Sequence, residues 1–388
     1  MSASAANTAT ANHENGNGTL ALQETTKPPH PILSNDDLQF LVRAGLMTLP
    51  ILTGASILVF GFQSWVLQGA LPAMWLANLL LVAYYVDFAL PQVDFAKETV
   101  LITGGATGLG KTLADKLLAR GAKVVVLTDH IPEDYVTADN SHVIVCDVSD
   151  RKAVAKAGAE IREKIGTPTM LVNNAGVVNG KLLLDLTEED IMTTFKVNSI
   201  APFWMVQEFL PDLLRERKGH IVNVSSVLGL IAVAQMTDYC ASKAATVAMH
   251  ACLRNELDYR YNTPEIRTTL VLPGHILTAM FEKTIMPRER LFKWLAPSLT
   301  VDVVADAIVS SLEGGPFSKN DTVLRLPFFT HTARLLSPTS ALVPGPILKL
   351  GHWCSGADWA MKSYGPTPDA GERLELERAQ AGDKLHQE

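Results

Sequence analysis

TVLITGGATGLGKT, residues 99–112, decides how the rest of the chain is read. Thr99 to Thr103 have the make-up of a buried strand, apolar and β-branched. Gly104, Gly105, Gly108 and Gly110 come next, and the chain then continues in helix-compatible residues. Glycines let the backbone turn tightly and approach a phosphate closely. The helix after them offers unpaired N–H groups and a partial positive charge to the anion. The ligand is left open at this point. Residues 105–112, GATGLGKT, also fit GxxxxGK[ST], the phosphate loop of nucleotide hydrolases. The next apolar run ends at Asp129, which could serve a magnesium ion in that reading.

Working outward, short apolar runs alternate with stretches of helix length. The runs are 99–103, 123–128, 142–146, 169–173, 220–225, 267–272 and 322–326. Continuous apolar strands separated by helices predict a parallel sheet covered on both faces. With right-handed crossovers this is an α/β fold with a doubly wound parallel sheet, a Rossmann fold.

The chain has 388 residues, with 33 Lys and Arg against 40 Asp and Glu, a net charge of −7. That balance excludes the basic footprint of a nucleic-acid partner. The four cysteines, Cys146, Cys240, Cys252 and Cys354, are widely spaced and suggest neither a disulfide framework nor a zinc site. Only 19% of residues are charged, so the apolar surplus must be concentrated somewhere. It lies in residues 44–86, which contain no Asp, Glu, Lys or Arg. A spanning helix needs about 20 apolar residues. Two spans or a one-leaflet hairpin broken near Gln63 to Pro72, one span plus an interfacial helix, and buried soluble helices all fit this run. The chain therefore divides into a disordered N-terminal tail (1–37), a membrane-associated segment (38–92), a catalytic domain (93–326) and an apolar C-terminal extension (327–388).

Three further groups of residues choose among the ligands. Asn173-Asn174-Ala175-Gly176 ends the fourth predicted strand, Ser225-Ser226 ends the fifth, and Tyr239-Cys240-Ala241-Ser242-Lys243 opens the next helix. Tyr239 and Lys243 are spaced i, i+4 and so share a helix face. An ammonium beside a phenol favours the phenolate and lowers its pKa. A tuned tyrosine then serves as a general acid–base. Ser226 offers a short hydroxyl for a substrate oxygen. Individually these residues also have plain explanations, with Asn198 as a cap, Ser226 as a strand end and Tyr239 as packing.

Taken together, the sequence resembles the short-chain dehydrogenase/reductase family. The family's TGxxxGxG pattern falls on Thr103, Gly104, Gly108 and Gly110, and its NNAG on 173–176. Its serine, thirteen residues before the tyrosine, is Ser226; its helix-borne asparagine is Asn198; its PG motif is Pro273-Gly274, with Thr278 just beyond. The resemblance implies a catalytic set of Asn198, Ser226, Tyr239 and Lys243, with Asn198 holding a water in a proton relay. It implies a nicotinamide cofactor held by Thr103, Gly104, Gly108, Leu109, Gly110, Asp129, Asp147, Val148, Asn174, Ala175, Gly176, Tyr239, Lys243, Pro273, Gly274 and Thr278. No metal is implied.

In the family an acidic residue after the second strand selects NAD and a basic one NADP. The usual acidic position falls here on Thr128, with Asp129 one later and no Arg or Lys beside it. NAD is therefore the expected cofactor, NADP the alternative, and a charged His130 would weaken the preference. Residues 275–300 mix apolar and basic side chains and suit a lid over a lipophilic substrate. With the apolar run and tail, they resemble the membrane-bound branch acting on retinoids, steroids and long-chain alcohols at the endoplasmic reticulum or lipid droplets. That resemblance implies membrane lipids as partners and a homodimer as a possible assembly. The non-enzyme alternative is a membrane-tethered scaffold or dinucleotide sensor.

Overall fold

A computed structural model describes residues 92–282, 284, 297–314, 320–327 and 330. Strands β1 (Thr99–Thr103), β2 (Lys123–Thr128), β3 (Ser141–Val145), β4 (Met170–Asn173), β5 (Gly219–Val224), β6 (Ile266–Pro273) and β7 (Asp321–Leu326) form one sheet. Their order is β3-β2-β1-β4-β5-β6-β7, and every pairing is parallel. The chain reverses its direction of travel across the sheet between β1 and β4, where a parallel sheet opens a crevice at its carboxyl edge.

The helices are α1 (Gly108–Leu118), α2 (Arg151–Lys164), α3 (Glu188–Phe195), α4 (Ala201–Glu216), α5 (Thr237–Tyr259) and α6 (Val301–Glu313). Alternation along β1 divides the core. Val100 and Ile102 face Leu113 and Leu117 of α1 and Val304 and Ile308 of α6. Leu101 faces the other layer, with Ile161 of α2, Met205 and Phe209 of α4 and Leu257 of α5. Burial on both faces of β1, β2 and β4 explains why these central strands read as near-continuous apolar runs, whereas the edge strands β3 and β7 are only partly buried.

Two local features shape the segment that runs from α3 into α4. Thr187 and Asp190 close a reciprocal capping box that starts α3. Residues Lys196–Ile200 then form a π-helical turn between α3 and α4, which holds Asn198 inward.

Strand ends differ from the sequence expectation by one residue. β3 begins at Ser141 and stops before Cys146, and β5 stops before Ser225. Among the described residues no helix is long and apolar enough to cross a membrane. The apolar run at 44–86, half of the expected lid and most of the C-terminal extension lie outside the described residues.

Candidate active site

A cavity of about 330 Å³ opens at the carboxyl ends of β1, β2, β4 and β5. That size falls in the range of small-molecule and cofactor sites. Gly104 and Gly108 adopt φ of +62° and +50°, backbone that L side chains rarely tolerate. Gly104, Gly108 and Leu109 line the cavity, with Thr107 between them. Thr103 and Gly110 do not line it but build its floor. The Thr103 hydroxyl accepts from the backbone N–H groups of Asn174 (3.0 Å) and Ala175 (3.1 Å). Asn174 Nδ2 in turn donates to the carbonyls of Thr103 (3.0 Å) and Gly104 (3.1 Å). A Cβ on Gly110 would collide with the Gly104 carbonyl and the Asn174 amide.

Asp129 and His130 line the cavity beyond β2, and Asp147 and Val148 beyond β3. Asp129 Oδ1 accepts from the His130 backbone N–H at 3.0 Å and faces its Nδ1 at 3.1 Å. Thr128, the usual acidic position, donates its hydroxyl to the His130 carbonyl at 2.7 Å and so shapes this turn. Asn174, Ala175, Gly176, Pro273, Gly274 and Thr278 complete the predicted set at the rim.

The side chains that mark a hydrolase phosphate loop are committed elsewhere. Lys111 Nζ pairs with Asp115 at 2.7 Å and sits over the Tyr135 ring, away from the cavity lining. Thr112 donates to the Gly108 carbonyl inside its own helix at 3.1 Å. The nucleotide-hydrolase reading fails on these observations.

Ser226, Tyr239 and Lys243 all line this cavity, with Tyr239 hydrogen-bonded to Ser226. Lys243 Nζ donates to the Val224 carbonyl at 3.0 Å and lies 5.8 Å from the centre of the Tyr239 ring. Burial pushes the Lys243 ammonium down to about 8. Burial also raises the Tyr239 phenol, opposed by a hydrogen bond with Ser226. This differs from the expectation that Lys243 would hold the phenol low: desolvation disfavours both charged forms here.

Asn198 is fixed from several sides. It is buried and does not line the cavity. Its Oδ1 accepts from Val177 N–H (2.8 Å), while Nδ2 donates to the Val177 carbonyl (2.9 Å) and Ser242 Oγ (3.1 Å). Its own carbonyl accepts from Thr246 at 2.8 Å. Those bonds make it a brace between Val177 and α5.

Sequence reasoning left out Ser225, whose hydroxyl donates to the Lys243 carbonyl at 2.9 Å and pins α5 to the sheet. It also left out the apolar side of Tyr239. Met236, Tyr239 and Cys240 pack with Val178, Leu228, Val233 and Phe281, and the Phe281 ring stands edge-on to Tyr239 at 6.2 Å. The run of small and apolar residues around 176–178 and 227–233 was the available signal.

Comparison with known proteins points the same way. The short chain dehydrogenase family model matches residues 98–288. Human short-chain dehydrogenase/reductase 3 is 33% identical over 74% of this chain and 93% of its own length. The chain is a short-chain dehydrogenase/reductase. As a member of that family it is an oxidoreductase acting on CH–OH groups, and the family works with a nicotinamide dinucleotide. Mouse epidermal retinol dehydrogenase 2 is 35% identical over 56% of this short-chain dehydrogenase/reductase and 73% of the relative. Thermoplasma acidophilum aldohexose dehydrogenase shares the fold, with a TM-score of 0.51 and 23% identity over 60% of this chain and 94% of that one.

Proposed function

We propose that this short-chain dehydrogenase/reductase interconverts an alcohol and a carbonyl on a lipophilic molecule at a membrane surface. The substrate class is a retinoid, steroid or long-chain lipid alcohol, and Tyr239 is the general acid–base. The observation that carries the reading is that Ser226, Tyr239 and Lys243 line the same cavity as the glycine cradle. The apolar packing of Tyr239 against Phe281, Val178 and Leu228 supports a lipophilic substrate. The name of the retinol dehydrogenase relative and the uncharged run at 44–86 support the same reading and the membrane setting.

The residues fit a dinucleotide. Gly104, Gly108 and Leu109 would take the phosphates at the N-terminus of α1. Asp129 would take the adenosine ribose, Asp147 and Val148 the adenine, and Asn174, Ala175, Gly176, Pro273, Gly274 and Thr278 the remainder. When bound, the nicotinamide supplies or accepts the hydride. Tyr239 handles the proton at the substrate oxygen. Burial keeps its phenol protonated at neutral pH, which suits donation to a carbonyl oxygen; in alcohol oxidation the same oxygen takes the proton back. Ser226 holds the substrate oxygen beside that hydroxyl. Lys243 keeps the helix face charged and in place, and would reach the nicotinamide ribose. Asn198 orients the wall at Val177.

NAD is the cofactor we assign, because the Asp129 carboxylate at the cavity rim repels a 2′-phosphate. The test is a screen of the detergent-purified full chain against retinoid, steroid and fatty alcohols with NAD and NADP, read by nicotinamide absorbance. Turnover of at least one lipophilic alcohol with higher kcat/KM for NAD is expected. Cofactor binding without turnover would favour the scaffold or sensor reading. A clear NADP preference would overturn the role given to Asp129.

A further inference from the structure

The helix that carries Tyr239 is tied to the cavity wall at two levels. The inner level is the Asn198 brace, joining Val177 to Ser242. The outer level lies four residues earlier on both helices, at Thr194 of α3 and Asp238 of α5, and two residues further along the wall, at Asn179. Asn179 Nδ2 donates to Asp238 Oδ2 (2.8 Å) and Thr194 Oγ1 (2.9 Å). Thr194 Oγ1 donates to the same Asp238 oxygen at 2.8 Å. A four-residue step is about one helical turn, so the two levels are parallel rungs. Between them on the wall sits Val178, which packs against Tyr239.

Asp238 is an expensive residue to place there. It is 3% exposed, its Oδ1 is buried without a hydrogen-bond partner, and no cation pairs with it among the described residues. A buried carboxylate supported only by neutral donors costs stability relative to an apolar side chain of the same size. Its place in the first turn of α5 offsets part of that through the helix dipole. Packing alone does not call for an acid at this point. Its two bonds call for an acceptor oxygen, which gathers the wall and α3 onto the residue next to the acid–base.

We propose that Asp238, through Asn179 and Thr194, is a positioning residue that sets where the Tyr239 hydroxyl stands relative to Ser226 and to the apolar wall at Val178. The kinetic part of this inference rests on the function proposed above; the structural part does not.

Asp238→Asn keeps a carbonyl oxygen that can accept both bonds, whereas Asp238→Ala removes them. Thr194→Val removes one donor at nearly constant shape, which covers the case of Asp238→Ala failing to fold. The experiment is hydrogen exchange on the full chain with NAD bound, read at residues 176–181 and 237–243, together with kinetics on the alcohol screen.

In Asp238→Ala and Thr194→Val, exchange in both segments is expected to rise by about tenfold or more. Misplacement of a catalytic group by about 1 Å costs up to about a hundredfold, so kcat is expected to fall about 10- to 100-fold in Asp238→Ala while the KM for NAD stays within about twofold. Asp238→Asn is expected to retain protection and most of kcat. Unchanged exchange in Asp238→Ala and Thr194→Val would overturn the proposal. So would loss in Asp238→Asn as large as in Asp238→Ala, since charge and not the bonds would then matter. A wild-type chain silent on every alcohol would sink the function proposed above, while the exchange comparison would still decide the clamp.

Discussion

Lys243 carries a measurable consequence of its burial. Its ammonium titrates at about 8 in the folded chain against an ordinary 10.5. Between those values the unfolded chain binds more protons than the folded one, so this group makes stability rise with pH across that window. Below about pH 8 its desolvation cost is present in full. Buried thiols such as Cys146, raised to about 11, act in the opposite direction and must be subtracted. Lys243→Met does this, because only the lysine differs. The wild type is expected to gain in thermal midpoint relative to Lys243→Met as pH climbs from 8 toward 10.5. A difference that stays flat with pH would contradict the buried, depressed ammonium. The i, i+4 spacing of Tyr239 and Lys243 was legible in the sequence. Their desolvation was not, because it depends on neighbours such as Val224 and Gly176, brought in from β5 and from the segment after β4.

Among the elements, α1 shows how a single missing side chain seats a helix. Gly110 lies in its first turn, and a Cβ there would run into the Gly104 carbonyl and Asn174 amide. Both of those are backbone-tied, through Leu127 and Thr103, and cannot yield cheaply. Gly110→Ala is therefore expected to weaken NAD binding at least about tenfold, by lifting the helix N-terminus off its cradle. Isothermal titration with NAD reads this directly; an unchanged Kd would show that α1 can shift without cost.

The strands themselves were legible as mostly apolar runs, to within one residue at their ends, because burial on both faces of the central strands leaves little room for alternation. The π-helical turn at Lys196–Ile200 was not. Its sequence, KVNSI, has no local breaker, and the turn is held by the distant Val177 and Ser242.

At the scale of the whole molecule, the order of motifs along the chain becomes an order of positions along one sheet edge. The reversal between β1 and β4 brings the glycine loop, the 173–176 segment and Ser225-Ser226 to the same crevice. The start of α5 then closes it with Tyr239 and Lys243. That convergence was readable because the glycine loop, the 173–176 segment and Ser225-Ser226 each lie at a strand end. The Asp238 clamp was not, since nothing local links positions 179, 194 and 238.

The measurement that tests the account most directly compares the full-length wild type with Tyr239→Phe in detergent, monitoring nicotinamide absorbance with a lipophilic alcohol and NAD. Removal of the phenolic oxygen is expected to lower kcat at least about 100-fold, the scale of losing a general acid–base, with NAD still bound at near wild-type affinity. Turnover in Tyr239→Phe equal to the wild type would remove Tyr239 from the chemistry and contradict the account.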